Sequence, residues 1–422
     1  MKLINILMIV FLLCIFLFAF YIMTSYSIKN YINYYYHDQQ QQLHNVNLVV
    51  IPNQHNEIGI NGLNNNFNNN NFMIDHEKNI QISNDFNNND DEINVNLNLI
   101  QSFRPHVNEN IPTDVKKDIE YISLFNILNK WNPDIPDEPI DFKETLQHFN
   151  YGDDNERLIA EKYRNAEIPF KLYNVSDFNE VSRLWSEEYL LKQLYSKLNY
   201  HIEKSKDNHF MFWKSNNNKK KNWKPPTMII NNMNFKQWLQ LAKDADIKKL
   251  TNQTEHYYLM TNEHSSKFIR NDLKLFSTRK NNFFISNVRA NKGIQCRFGM
   301  RGVIAESHYD SGRNMVAMLK GAKRYIITPP WTCSKLSIIA DKAHPSYRHS
   351  VIDWSDLEQA KSRGFDKVDA IDTIVRAGEV LYIPTYWFHY IVSLQYSIQC
   401  NSRSGFPPKQ QGRDYIAACL DW

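Results

Sequence analysis

Three side chains in the last third of this 422-residue sequence are of the types that bind a transition metal. His308 and Asp310 are two residues apart in ESHYDSG, and side chains at positions i and i+2 of a strand point to the same face. His389, in the distant run YWFHYIV, is the best candidate for a third ligand. Two imidazoles and one carboxylate leave coordination positions open for a bidentate 2-oxo acid and O2, as in non-haem Fe(II) oxygenases. We therefore predict a catalytic iron site at His308, Asp310 and His389.

The sequence around these residues has the composition and residue pattern of a β-rich domain. After residue 254, short runs rich in aromatic and β-branched residues alternate with turn residues, and we predict strands in HYYLM, NFFISNV, IQCRFGM, MVAMLKGAKRYIITPP, EVLYIP, HYIVSL and SIQCN. Regular short strands indicate a sandwich or barrel, and a cupin jelly roll is one such fold. One helix interrupts them, with a predicted capping box at Ser355 and Glu358 and a stop at Gly364.

Residues 113–253 have a mostly helical pattern. The runs DVKKDIEYISLFNILNK, DFNEVSRLWSEEYLLKQLYSKL and NFKQWLQLAKDA place apolar residues at helical spacing, and IPFKLYNV between them predicts a short strand. The fold class is therefore α+β, with a helical part at 113–253 followed by a barrel at 254–422.

The amino-terminal quarter has two different compositions. Residues 3–23 carry no charge and are long enough to cross a bilayer, so we predict a signal-anchor transmembrane segment with its flanks at 1–36. A cleaved signal peptide is the alternative, and both interpretations send the chain into the secretory pathway (ER/Golgi) with its folded part in the lumen. Residues 37–112 are rich in Asn and Gln and predict a disordered stem. A net charge of +4 gives no reason to expect a nucleic-acid partner.

Four cysteines lie outside the predicted anchor: Cys296, Cys333, Cys400 and Cys419. In an oxidising compartment they can pair in three ways. Cys296 and Cys400 lie in apolar runs and are equally compatible with buried thiols.

The stretch GMRGVIAESHYDSGRNMVAMLKGAKRYIITPP, followed by GEVLYIPTYWFHYIVSL, resembles the cupin-like JmjC oxygenases. Within that family it most resembles the asparaginyl hydroxylase that inhibits hypoxia-inducible factor. The similarity covers about residues 160–405 and is strongest from 295 to 401. It implies a double-stranded β-helix that binds Fe(II), 2-oxoglutarate and O2.

The resemblance also assigns the co-substrate contacts. Lys323 matches the lysine that pairs with the distal carboxylate of 2-oxoglutarate, and Tyr258 matches a tyrosine that reaches the same group. Asn314 and Asn401 match two asparagines around its metal-binding end. A lysine directed into an apolar barrel independently requires an anion, whereas the alternative is that Lys323 tops an exposed turn beside Gly321.

Three departures from the asparaginyl hydroxylase limit the comparison. Ala305 replaces a threonine that contributes to co-substrate binding, and Met260 replaces a glutamine that helps to hold the substrate backbone. Only 21 residues follow Asn401, too few for the dimerisation helices of that enzyme. Neither its substrate nor its dimeric state is therefore expected to transfer, and the oligomeric state stays open.

Together these features predict an Fe(II)- and 2-oxoglutarate-dependent dioxygenase that hydroxylates a side chain of a protein or peptide. N-demethylation is the same chemical step on an N-methyl carbon. A cupin fold kept as a binding or structural module is the alternative of a different class. A cupin isomerase or hydrolase with another divalent metal is a third, which Lys323 at the anchoring position disfavours.

Overall fold

The computed structural model describes residues 119–194, 200–214 and 223–422. The predicted anchor and the predicted Asn/Gln-rich stem lie outside these ranges. Within them, no helix combines the length and apolarity that crossing a membrane requires.

Two β-sheets dominate the described residues. They contain the strands β1 (Ile122–Ser123), β2 (His148–Asn150), β3 (Phe170–Tyr173), β4 (His201–Ser205), β5 (His209–Phe210), β6 (Met228–Ile230), β7 (His256–Asn262), β8 (Ile294–Gly299), β9 (Ile304–Tyr309), β10 (Asn314–Lys320), β11 (Ala322–Thr328), β12 (Asp369–Arg376), β13 (Val380–Ile383), β14 (Phe388–Ser393) and β15 (Ser397–Arg403).

The smaller sheet has six strands in the order β1-β12-β11-β14-β9-β5. The larger sheet has nine, in the order β2-β3-β13-β10-β15-β8-β7-β4-β6. Several strands that are adjacent in a sheet, such as β9 and β14 or β10 and β15, are distant in sequence, which is typical of a jelly-roll fold. Apolar side chains of β10 and β13 in one sheet and of β11, β12 and β14 in the other form a shared interior cluster. The mixed sheets and helices fit the predicted α+β cupin fold.

Helices flank the sheets: α1 (Leu124–Lys130), α2 (Asp154–Asn165), α3 (Ser176–Leu184), α4 (Glu187–Gln193), α5 (Phe235–Lys248), α6 (Lys267–Asp272), α7 (Leu357–Ser362) and α8 (Gln411–Leu420). The predicted helix at 234–245 is confirmed as α5, which begins at a capping box between Asn234 and Gln237. The predicted strand at 168–175 is confirmed as β3. Strands β2 to β6 lie in residues 113–253 yet pair within the same two sheets, so the sheets extend across residue 253.

Three local predictions were wrong. NFFISNV forms no strand, because the Asn282 side chain accepts hydrogen bonds from the backbone N–H groups of Phe284 and Ile285 and turns the chain. The run at 177–198 does not form one helix: α3 ends at Leu184, and the chain restarts α4 with Ser186 as its cap. The N-cap of α7 is Asp356, one residue after the predicted Ser355.

Two disulfides show how the four cysteines are paired. Cys296 and Cys400 face each other across β8 and β15, and Cys333 pairs with Cys419 of α8. The first joins neighbouring strands of the larger sheet, and the second ties the carboxyl-terminal helix to the 3-10 turn at Pro330–Lys335.

The turn between β10 and β11 depends on Gly321. Its φ is +70°, and a Cβ atom there would lie 2.2 Å from the backbone oxygen of Tyr396. Gly321→Ala is therefore expected to destabilise the protein by more than the ~1 kcal/mol that left-handed strain alone costs. Gly364→Ala is the matched control, because Gly364 has a φ of +75° but an added Cβ would lie 3.8 Å from the nearest atom outside its chain neighbours, Asp366 Oδ1. Urea unfolding measures both. Equal losses in the two variants would contradict the steric argument.

Candidate metal centre and co-substrate pocket

The register between β9 and β14 brings the three predicted ligands together. His389 lies directly opposite His308 in the antiparallel pair, and Asp310 follows the last residue of β9. One ligand atom from each of His308, Asp310 and His389 lies within 4.8 Å of the others. This separation suits three ligands around one ion, so the donor set and the geometry fit a mononuclear site.

Backbone carbonyls orient both imidazole rings. His308 Nδ1 lies 2.8 Å from the carbonyl oxygen of Glu306, and His389 Nδ1 lies 3.1 Å from that of Trp387. A hydrogen bond from each Nδ1–H selects the tautomer whose Nε2 lone pair is free for a metal.

The protonation states also favour metal binding. Burial, together with the nearby His389 and His349, lowers the pKa of His308 well below its usual value. Burial likewise lowers the pKa of His389. Burial raises the pKa of Asp310, but Arg403 and the two histidines more than offset this, so its pKa is lowered. Two neutral imidazoles and one carboxylate are the forms that bind a divalent cation.

The two predicted asparagines lie next to Asp310. Asn401 Nδ2 donates to Asn314 Oδ1 at 2.9 Å, and Asn314 Nδ2 lies 3.4 Å from Asp310 Oδ2. They come from β15 and β10, which are adjacent in the larger sheet. The amides therefore form a short chain that reaches the aspartate from the sheet opposite to the one that carries the histidines.

Lys323 and Tyr258 meet across the interior of the barrel. Lys323, on β11, is only 1% exposed, which rules out the exposed-turn alternative. Its Nζ donates one long hydrogen bond, of 3.5 Å, to the Tyr258 hydroxyl and lies 5.2 Å from the centroid of that ring. Burial, and then the charge of Arg297, lower the pKa of Lys323 to about 7. Among the described residues no carboxylate forms a salt bridge with this buried amine.

A cavity of about 190 Å³ connects these groups. The metal-site residues, both asparagines and Tyr258 line it, whereas Lys323 is not among the lining residues and contacts the hydroxyl of Tyr258. Ala305 and Met260, the two departures noted in the sequence, line it as well. Sequence reasoning missed eight further polar lining residues: Glu203, Arg297, Glu306, Tyr325, Arg348, His349, Gln399 and Arg403.

Arg297 and Tyr325 had a signal in the sequence. Arg297 is a charged residue inside the apolar strand run IQCRFGM, as Lys323 is in its own strand, and a charge in such a run indicates an anion. Tyr325 lies two residues after Lys323 and so faces the same way, and its hydroxyl donates to Gln399 Oε1 at 2.5 Å. Arg348 lies on a loop, where no periodicity marked it.

Comparison with known proteins agrees with this fold. The family described as cupin-like domain matches residues 156–402. The chain belongs to the cupin-like JmjC family. It is 29% identical over 112 residues to lysine-specific demethylase JMJ30 of Arabidopsis thaliana. The aligned stretch covers 25% of this chain and 24% of that protein. It is 24% identical over 185 residues to tRNA wybutosine-synthesizing protein 5 of Homo sapiens. Here the aligned stretch covers 41% of this chain and 55% of that protein. The chain thus spans from about a quarter to about half of the length of these relatives.

Proposed function

We propose that this chain is an Fe(II)- and 2-oxoglutarate-dependent dioxygenase that hydroxylates a protein side chain. The observation that carries the proposal is a buried lysine, Lys323, that forms no salt bridge within the described residues, in the same barrel as a His-Asp-His cluster. An unpaired buried charge is costly, and a ligand that supplies a carboxylate at Lys323 offsets that cost. A metal-only isomerase or hydrolase has no use for such a group.

The residues present fit the metal and the co-substrate. His308, Asp310 and His389 would hold Fe(II), and Asn314 and Asn401 fix the orientation of the Asp310 carboxylate. Iron with 2-oxoglutarate and O2 would supply the oxidation of an unactivated C–H bond, with 2-oxoglutarate converted to succinate and CO2.

The protein's contribution is to bind, orient and desolvate. Lys323 and the Tyr258 hydroxyl are placed to bind the distal carboxylate, and Arg297 lies close enough to lower the pKa of Lys323. Arg297 lines the same cavity and adds a second positive charge, so it is a candidate to replace the contact missing at Ala305. The metal ligands and Lys323 are largely or fully shielded from water, which strengthens each of these electrostatic contacts.

The substrate and the compartment are part of the proposal. Arg348 and Arg403 at the cavity provide donors for a polar side chain of an incoming peptide. The two disulfides and the uncharged segment at residues 3–23 support a lumenal location, because structural disulfides form in oxidising compartments. Demethylation is kept as a second reaction, because one relative is named as a lysine-specific demethylase.

The test is to incubate the purified protein with 2-oxoglutarate, Fe(II) and ascorbate and to measure succinate. Fe(II)-dependent succinate formation supports the proposal. Peptides from lumenal proteins are then added, and gain of one oxygen atom by mass spectrometry identifies hydroxylation, whereas formaldehyde release identifies demethylation. No succinate and no Fe(II)-dependent binding of 2-oxoglutarate would overturn the proposal in favour of a non-catalytic module.

Binding of 2-oxoglutarate is expected to weaken as the pH rises through the pKa of Lys323. Burial and Arg297 lower that pKa to about 7 in the ligand-free protein, and only the protonated amine pairs with a carboxylate. The dissociation constant, measured by calorimetry, should rise by up to ~10-fold per pH unit above that pKa until it reaches the pKa of the bound state. Lys323→Arg is the control, since a guanidinium stays charged. Equal pH dependence in the two proteins would contradict this assignment.

A further inference from the structure

A second group of potential metal ligands shares strand β9 with the iron site. His209, Glu306 and Asp353 each place one donor atom within 4.8 Å of the others. Parallel pairing of β5 with β9 brings His209 next to Glu306, and Nδ1 of the imidazole lies 2.5 Å from Oε1 of the carboxylate. Asp353 lies four residues before α7, on a loop that packs against the same sheet. None of these three side chains is a predicted iron ligand, although Glu306 also lines the cavity described above.

Buried polar atoms around this cluster lack partners. Glu306 is 7% exposed, and its Oε2 makes no hydrogen bond in the described part of the chain. The Tyr390 hydroxyl and Trp354 Nε1 are also buried and unpaired there, and the two rings stack 5.1 Å apart. The carboxylates of Glu306 and Asp353 both act on the Tyr390 hydroxyl electrostatically. Buried polar atoms almost always have a partner, and a bound ion would contact the unpaired Glu306 Oε2, whereas the Tyr390 O–H and the Trp354 N–H are donors that require an acceptor such as metal-bound water.

The charges lead to the same conclusion. Asp134 lies on the other side of the imidazole, so three carboxylates, those of Asp134, Glu306 and Asp353, surround one histidine. No lysine or arginine forms a salt bridge with these carboxylates within residues 119–194, 200–214 and 223–422. Even a protonated His209 leaves a net negative charge at a largely buried place, which a divalent cation would offset.

Asp134 is placed to orient the histidine. Its Oδ1 lies 3.4 Å from His209 Nε2, and the side-chain amides of Asn208 and Asn252 donate to its two oxygens at 2.9 Å. In the ligand-free protein the short contact between Nδ1 and Glu306 Oε1 is a hydrogen bond, so a metal ion would replace the proton on Nδ1 while Nε2–H donates to Asp134. This is the carboxylate–histidine–metal arrangement found around protein-bound metals.

We propose that His209, Glu306 and Asp353 bind a second divalent transition metal ion, with Asp134 as a positioning residue. One imidazole nitrogen with carboxylate oxygens suits Zn²⁺ or Mn²⁺, whereas Ca²⁺ and Mg²⁺ prefer oxygen ligands alone. Glu306 also accepts a hydrogen bond from His308 Nδ1 through its backbone carbonyl, so the two sites are linked through one residue.

The test is metal stoichiometry in the full-length protein. Chelator-treated protein is dialysed against Mn²⁺ or Zn²⁺, and bound metal is counted by mass spectrometry. The wild type should bind two equivalents. The double variant His209→Asn with Asp353→Asn should bind one, and so should His308→Ala with His389→Ala. The exposed pair His264→Asn with Asp366→Asn is the matched control and should keep two.

A second measurement distinguishes loss of the metal site from misfolding of the variants. In the His308→Ala, His389→Ala background, which lacks the iron site, Zn²⁺ should raise the unfolding temperature, because a ligand stabilises the state that binds it. Adding His209→Asn and Asp353→Asn should remove that rise. The proposal would be overturned if the wild type bound one equivalent of metal, if that equivalent disappeared in His308→Ala with His389→Ala, and if it remained in His209→Asn with Asp353→Asn. It would leave His209 as an imidazolium between two carboxylates.

Discussion

Replacing His308 by alanine is expected to abolish Fe(II)-dependent succinate formation. The substitution leaves Asp310 and His389 as two ligands, too few to hold the ion in place. Losing one outer-shell partner of a metal site typically costs ~10–100-fold in affinity or activity, and losing a direct ligand should cost more than ~100-fold. Succinate formation at saturating Fe(II) and 2-oxoglutarate measures the effect, together with Fe(II) affinity by dialysis.

His264→Ala is the control for this prediction, because His264 is an exposed histidine away from the cavity. Asp310→Asn provides a second test through charge. It keeps the shape of the side chain but leaves Arg403 beside a neutral group, so metal affinity should fall while the fold persists. Metal binding and turnover at wild-type levels in His308→Ala would mean that the ion lies elsewhere, and the assignment of His308 as a metal ligand would fail.

The cluster of His308, Asp310 and His389 could be predicted because its signal is local or chemical. His308 and Asp310 are two residues apart on one strand, so strand periodicity alone places them on one face. His389 could be chosen because it lies in an aromatic strand run that fits the family pattern. Lys323 was predictable for a different reason, since a lysine in an apolar strand has to face an anion. These inferences require no knowledge of which strands are neighbours.

The rest depends on contacts between distant parts of the chain. Composition allowed three ways to pair the cysteines, and only the register of β8 against β15 brings Cys296 to Cys400. The strand pattern of NFFISNV was overridden by one side chain, that of Asn282, which bonds to the backbone. The cluster of His209, Glu306 and Asp353 could not be predicted for the same reason. His209 and Glu306 are 97 residues apart in sequence and come into contact through a two-residue strand.

A buried ion pair in the smaller sheet is another contact of this kind, and it carries the largest stability effect expected. Arg324 on β11 and Asp372 on β12 form two hydrogen bonds, of 2.8 and 2.6 Å, and the arginine is fully buried. Its guanidinium also donates to the backbone oxygen of Trp131 and lies 4.0 Å from the centroid of that indole ring. The pair therefore links the sheet to the segment that follows α1.

Asp372→Ala is expected to lower the free energy of unfolding by about 3–5 kcal/mol, because it leaves a buried guanidinium without its carboxylate. Asp141→Ala is the matched control, since Asp141 pairs with Lys130 at 3.0 Å on the solvent-exposed surface and its loss should leave the free energy of unfolding almost unchanged. Urea unfolding gives both values.

The double variant Arg324→Met with Asp372→Leu removes both charges and should be less destabilised than Asp372→Ala alone, apart from the lost contact with Trp131. Burial raises the pKa of Asp372 despite the attraction of Arg324, which agrees with a pair whose desolvation is costly. If Asp372→Ala cost no more than the surface control, the guanidinium would have to reach water in the native state, and the packing of Trp131 over it would need to be revised.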